Sequence, residues 1–326
     1  MPTLRKDPVA QASPITTRTQ VMLEIASRMA TVQEDRQFGQ AKIYLRKQGT
    51  TEWPVCLFAS NTAEGIDAVV KREADVAIVN PTTPLALAVR GKGPYANPQP
   101  VRAIAVIPSQ DQYVFAVAAK TALTRFEEIA EKKYPLRVAL RGEMDHCLHL
   151  MLDGVVQAAG FTLDDLKSWG GEAKKWGSLP FPNGPKFQAL AKGEIDAIFD
   201  EASDVWIAEA LEAGMIILPL AEATVRKLEA IGYRRALIEK AVAPRLPADV
   251  LTVDFSGWPI FVREDADAKL VTQVCAALVE RADRIPWQGE GPLPVARMCL
   301  DAPDTPQVAP LHPAAVAYWK QHGFLR

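Results

Sequence analysis

The feature that most constrains this chain is a repeated alternation. Short apolar runs of strand length, A-D-V-A-I-V-N-P at 74–81, V-R-A-I-A-V-I-P at 101–108, Y-V-F-A-V-A-A at 113–119 and I-D-A-I-F-D at 195–200, are separated by stretches with helical spacing. A run that is apolar throughout fits a strand covered on both faces. Strands alternating with helices argue for βαβ units and a largely parallel sheet.

The spacing predicts helices over Ala63–Arg72, Arg125–Lys132, His146–Ala159, 186–193, 203–213, Ala266–Ala282 and Ala314–His322, with further strands at 41–47, Leu136–Leu140 and 215–220. Trp169–Pro185 reads as a glycine- and proline-rich loop, and residues 222–248 as a helix with a proline-marked connector. L-T-V-D-F-S-G-W-P-I-F-V, 251–262, is strand-like with a bend at Gly257 and Pro259. Before all of this comes an irregular leader, 1–16. Val21, Met22, Ile25, Ala26 and Met29 then mark an amphipathic helix, with Thr16 or Thr17 as its cap and an end near Gln33.

At 326 residues the chain has room for two lobes of ordinary domain size. Its 37 Lys+Arg against 39 Asp+Glu give a net charge of -2, which makes no electrostatic case for nucleic acid or an anionic membrane surface. No apolar run approaches the roughly 20 residues a spanning helix needs. The four cysteines, Cys56, Cys147, Cys275 and Cys299, show no zinc-type spacing. V-M-L-E-I-A-S-R-M-A is broken by Glu24 and Arg28, so as the sequence stands it reads as cytoplasmic. A signal lying upstream would make it periplasmic.

Several phrases carry a family resemblance. K-R-E-A-D-V-A-I-V-N-P, 71–81, and K-G-E-I-D-A-I-F, 192–199, resemble the paired lobe phrases of type II periplasmic-binding-protein folds. P-L-H-P-A-A-V-A-Y-W-K-Q-H-G-F, 310–324, is similar to the closing phrase of TAXI-type solute receptors, which serve tripartite ATP-independent transporters. The resemblance covers roughly residues 20–326. It implies a two-lobed α/β fold with a hinge of two crossing strands, Tyr113–Ala118 and Phe255–Val262, and a ligand cleft between the lobes. Lobe 1 would be 1–115 plus 258–326, and lobe 2 would be 116–257. Two departures stand out. The first helix follows an irregular leader with no glycine- and aromatic-rich loop, so the expected N-terminal strand is degenerate or missing or the start lies upstream, and the second-lobe loop is Gly142-Glu143-Met144-Asp145-His146 where relatives place glycine and serine.

Candidate ligand-binding residues follow from strand ends, where open α/β sheets bind ligands. They are Thr50, Thr51, Asn80, Thr82, Arg141, Gly142, Glu143, Asp145, His146, Asp200, Glu201 and Trp258. Each has a structural alternative. Glu143 or Asp145 can cap the helix that follows, as can Asp200 or Glu201, and Thr82 or Thr83. Trp258 can pack in the core, and Arg141 can pair with Glu143 or Asp145 instead of a ligand carboxylate. His146 and His149 share a helix face, but two ligands do not make a metal site. No metal and no cofactor is expected.

The leading expectation is a binding protein that closes on a small organic, carboxylate-bearing ligand, with membrane transporter subunits as partners in a transport role and no nucleic acid. The alternative is a cytoplasmic enzyme on the same scaffold, a decarboxylase or other lyase, in which His146 with Asp145 or Glu143 handles a proton.

Overall fold

The computed structural model describes residues 14–30, 40–47, 49–51, 54–60 and 62–326. The chain divides after Ala41 into an N-terminal unit and a main unit. In the first, α1 (Pro14–Ala30) exposes Val21, Met22, Ile25 and Met29. Proline is tolerated in a first helical turn, where its missing N–H has no intrahelical partner to lose. The helix therefore starts ahead of Thr16 and Thr17. Its expected end near Gln33 and most of the expected leader lie outside the described residues.

β1 (Gln40–Leu45) runs through the division, and along the main unit follow β2 (Val55–Ser60), α2 (Glu64–Val70), β3 (Val76–Ile78), α3 (Thr83–Arg90) and β4 (Val101–Ile107). After a crossing come β5 (Val114–Ala118), α4 (Glu128–Glu131), β6 (Arg137–Leu140), α5 (Cys147–Ala158), α6 (Leu163–Ser168) and β7 (Glu172–Lys175). Next are α7 (Pro185–Ala191), β8 (Ala197–Asp200), α8 (Ser203–Glu212), β9 (Met215–Ile217), α9 (Glu222–Ile231), β10 (Arg235–Ile238) and β11 (Val250–Val253). The chain returns in β12 (Trp258–Arg263) and ends with α10 (Ala268–Glu280) and α11 (Pro313–Gln321).

These strands form two five-stranded sheets, ordered β1-β2-β3-β12-β4 and β7-β6-β8-β5-β9, and a two-stranded ribbon, β10-β11. Both large sheets are mixed: β2–β3, β6–β7 and β6–β8 pair in parallel, as the alternation predicts, and one strand in each sheet runs the other way. β12 runs antiparallel to β3 and β4, and β5 runs antiparallel to β8 and β9. Both antiparallel strands begin where the chain has just crossed from the other sheet, so they enter pointing against the strands already there. Periodicity carries no sign of direction.

The first sheet is covered on one face by α10 and α11, with Ile104, Val262, Val271, Cys275 and Trp319 buried between them. Phe58, Ile66, Leu85 and Phe261 fill the other face. Phe115, Phe126, Phe199, Leu152 and Val155 pack one face of the second sheet, and Ile198, Trp206 and Ile207 the other. Each such side chain contributes about 1.5–3 kcal/mol by burial. The four cysteines are buried and free. Among the described residues no helix is long and apolar enough to cross a membrane.

The chain passes between the sheets in two segments, 108–113 and 254–257. They are tied to one another: Tyr113 N–H donates to Val253 O, Phe255 N–H to Asp111 O and Gly257 N–H to Ser109 O, at 2.8–3.0 Å. Gln112 and Asp254 form an antiparallel bridge between them. Of the segments expected to cross, Val114–Ala118 lies inside the second sheet and Trp258–Val262 inside the first.

Candidate functional site

Strand direction fixes which ends face each other. β2 and β3 are parallel and finish at Ser60 and Ile78, at the end where β4 leaves and β12 enters. In the second sheet Val114 pairs with Asp200, so β8 finishes where β5 begins, and β6, parallel to β8, finishes beside it at Leu140. Ser60, Thr62, Asn80, Thr82 and Trp258 thus sit at the crossing end of one sheet. Arg141, Gly142, His146, Asp200 and Glu201 sit at the crossing end of the other. Thr62 and His146 are joined by an antiparallel bridge, so the two sets meet.

The second-lobe half is built around a buried ion cluster. Arg141 donates through Nη2 to Asp200 Oδ1 at 2.5 Å and through Nε at 3.1 Å, and also to Glu201. Lys186 Nζ reaches Asp200 Oδ2 at 3.0 Å. All four side chains are buried. Burial works against the Arg141 charge, but Asp200 and Glu201 more than offset it and hold the guanidinium charged. Burial pushes the Lys186 ammonium down, with Asp200 opposing. Two cations thus face two carboxylates, and Arg141 is already engaged.

Helix starts around the cluster are capped differently from the sequence alternatives. α5 is capped by His146, whose Nδ1 accepts from Leu148 N–H at 3.1 Å. Glu143 and Asp145 lie in the exposed turn before it, beside Met144. α8 starts from Ala202 in the left-handed region, φ 57°, with no cap of its own. Its Ala202 and Ser203 N–H groups donate instead to Asp111 in the crossing segment, at 2.7 and 2.9 Å. Burial and the neighbouring Glu201 charge hold the Asp111 carboxyl well above the usual range. Gly142 is required where it stands, because a Cβ there would come within 2.6 Å of Gly177 O.

His146 is buried, and its ring lies face to face with Phe255 at 6.3 Å. Burial, then the Arg141 charge, pushes its pKa down to about 3, so the ring is neutral at ordinary pH. With Nδ1 accepting from a backbone amide, the proton of the neutral ring sits on Nε2. His146 is therefore placed to donate a hydrogen bond, and the lone pair a lyase would ask of it is already in use. His149 bonds Glu143 O through Nε2 at 2.9 Å, and burial, then Lys175, lowers it to about 4. Among the described residues no cluster of His, Cys, Asp and Glu is arranged to hold a metal ion.

In the first-lobe half, Ser60 Oγ and Thr62 Oγ1 lie 2.9 Å apart, and Thr62 caps the approach to α2 by accepting from Glu64 N–H. Thr82 starts α3 without capping it. Its hydroxyl and amide both donate to Ser256 O, at 2.9 and 3.2 Å, which ties α3 to the returning segment. Asn80 Oδ1 and Trp258 Nε1 are buried and have no hydrogen-bond partner. Thr50, bonded to Lys47 O, and the exposed Thr51 precede β2 and lie at the strand end opposite Ser60.

Sequence reasoning missed Ser60 and Thr62 because it left Val55–Ser60 without an element. The available signal is the continuous apolar run V-C-L-F-A at 55–59, whose alternate residues Cys56 and Phe58 are buried. It also missed Asp111, Lys186 and Ser256, polar residues in turns or at a helix start, which no spacing sets apart.

Facing strand ends across two tied crossing segments define a two-lobed α/β protein with its candidate site between the lobes. The chain belongs to the NMT1-like family, whose sequence profile matches residues 58–323. No curated protein matches it. Among solved structures, the alkanesulfonate-binding protein SsuA from Xanthomonas axonopodis pv. citri, bound to MOPS, is similar at 17% identity over 68% of this chain and 62% of that one, with a TM-score of 0.31. A TctC solute binding protein from Polaromonas is similar at 16% identity over 67% of each chain, TM-score 0.35. A Xanthomonas citri protein bound to chloride ion is similar at 11% identity over 80% of each chain, TM-score 0.40. The match thus spans less than two thirds of the alkanesulfonate-binding protein.

Proposed function

We propose that this chain is a solute-binding protein of the TAXI type, closing on a small organic molecule between its lobes and passing it to the membrane subunits of a tripartite transporter. The observation that carries this reading is the convergence at the crossing ends. Thr62 of the first lobe bridges His146 of the second there, and Asn80 Oδ1 and Trp258 Nε1 at the first-lobe end are buried without partners. The carboxylate expected of the ligand would compete with Asp200 and Glu201 for Arg141. Recognition is therefore assigned to the neutral donors and acceptors.

Two measurements test the reading. Native mass spectrometry of the protein recovered from its own cells, with a thermal-shift screen of small organic molecules, should find a bound, chemically unchanged compound that raises Tm. Turnover of that compound, lost in His146→Ala and in Asp145→Asn, would replace binding with catalysis. In a transport role the protein is periplasmic. Recovery from the cytoplasmic fraction would leave a ligand sensor and remove the transporter.

A further inference from the structure

Five buried ionisable side chains stand in a row at the crossing: Lys186, Asp200, Arg141, Glu201 and Asp111. Two are cations and three are carboxyls, so one carboxyl is left over. Asp111 ends the row, in the first crossing segment. Its N–H donates to Ser256 Oγ at 3.0 Å and its O accepts from Phe255 N–H at 2.9 Å, which ties it to the returning segment. Its carboxyl Oδ1 accepts from Gln112 and Ser203 N–H, at 2.7 and 2.9 Å, and Oδ2 from Ala202 N–H at 2.7 Å, which ties it to the start of α8. Oδ1 thus has both lone pairs engaged, and Oδ2 has one free. The Asp111 carboxyl is also hydrogen-bonded to that of Glu201. Two carboxyl groups can share such a bond only when one of them keeps its proton. Glu201 accepts from Arg141, so the proton falls to Asp111 Oδ2.

We propose that Asp111 and Glu201 share one proton and that this proton locks the crossing. With it, both segments and the start of α8 form one hydrogen-bonded unit, and the row is neutral, Arg141 and Lys186 against Asp200 and Glu201. Once the proton leaves to solvent, Asp111 and Glu201 face each other as carboxylates and the unit loosens. The three N–H groups at Asp111 favour its charged form, but burial and the Glu201 charge outweigh them. The other charged groups nearby are turned elsewhere: Asp254 in the returning segment faces Arg234 at 3.7 Å, and Asp204 in α8 is exposed. Because the locked state binds the proton more tightly than the opened one, the lock is complete at low pH and weakens as pH rises. It needs no bound ligand, so it stands apart from the solute-binding reading.

Glu201→Gln imitates the shared proton, since its amide oxygen can accept from Arg141 while its N–H donates to an ionised Asp111, and the row stays neutral. Infrared difference spectra of the full chain at about pH 6 should show the carbonyl stretch of a protonated carboxylic acid that the parent has and Glu201→Gln lacks. Hydrogen exchange, read by mass spectrometry over 108–113 and 254–257 and corrected for the intrinsic rate, follows the lock itself. From about pH 5 to about pH 9 the parent should lose roughly ten-fold more protection than Glu201→Gln does. Asp254→Asn removes the other raised carboxyl of the crossing, so its own profile decides if Glu201→Gln does not fold: protection over 108–113 should still fall as pH rises. Identical acid bands in the parent and Glu201→Gln, parallel exchange profiles, or a flat profile in Asp254→Asn would overturn the inference.

Discussion

Asp200 is the residue whose loss should be felt most. It is fully buried and holds two cations, Arg141 at 2.5 Å and Lys186 at 3.0 Å, besides accepting from Glu201 N–H at 3.0 Å. Asp200→Asn keeps the shape and one acceptor but leaves Arg141 and Lys186 facing a single carboxylate, Glu201, away from water. Removing one partner of a buried pair costs about 3–5 kcal/mol, because the remaining charge is uncompensated. For a unit of this size that is a fall in Tm of roughly 6–20 °C. The natural control is Arg125→Ala, which breaks the pair with Glu131, whose side chains are 42% and 51% exposed. Exposed pairs contribute about 0–1 kcal/mol. Lys186→Met in the Asp200→Asn background restores one cation to one anion and should recover at least half of the loss. Urea unfolding followed by circular dichroism, with calorimetric Tm values, measures the parent, Asp200→Asn, Lys186→Met, their double variant and Arg125→Ala. If Asp200→Asn behaves like Arg125→Ala, or if the double variant is the sum of its parts, the electrostatic account of this cluster is wrong.

Burial raises the Asp254 carboxyl to about 6, with Ser256 and Arg234 opposing. The folded state therefore prefers the proton, and stability falls as pH rises from about 4 to 6, by about 3 kcal/mol. Asp254→Asn should abolish that decline and be the more stable protein at pH 8 in urea titrations. His146 acts in the opposite sense. Its folded value near 3 means stability that is complete above about 6.5 and drains away as pH falls toward 3. His146→Asn keeps a cap acceptor and should move the acid-unfolding midpoint downward. Because the two windows overlap, the parent protein should show a flatter pH profile than either variant. In α5, Gly154→Ala should destabilise although alanine is the better helix former by about 1 kcal/mol, since the new Cβ overlaps the Tyr233 hydroxyl that donates to Met151 O. Chemical denaturation reads the sign, and a gain in stability would refute the overlap.

What was legible in the sequence was whatever a continuous apolar run or a strong helical period announces. β3, β4, β5 and β8, with α5, α10 and α11, lie where spacing put them, within a few residues. Strands without such runs were lost. β7 is E-A-K-K, and β10, R-A-L-I, belongs to a two-stranded ribbon; neither has the burial that makes a pattern. β2 is the exception, since V-C-L-F-A at 55–59 is itself a continuous apolar run and was legible as a strand. The site divided in the same way. Asn80, Arg141, His146 and Asp200 stand at strand ends and could be named. Asp111 reaches α8 from a segment 91 residues earlier in the chain, a relation that exists only after folding.

The position of β12 also bears on the order in which this protein can be made. It lies between β3 and β4, so the first sheet has a gap at its centre until residues near 260 have left the ribosome. Every strand of the second sheet, from β5 to β9, precedes that point. Domains generally fold as they emerge, the N-terminal one first. Here the half that is translated first must be completed last, with its inner strand edges waiting for a segment on the far side of the other lobe. A nascent chain halted before Trp258 carries a finished second sheet beside an open first one, and that open edge is where a chaperone has reason to bind.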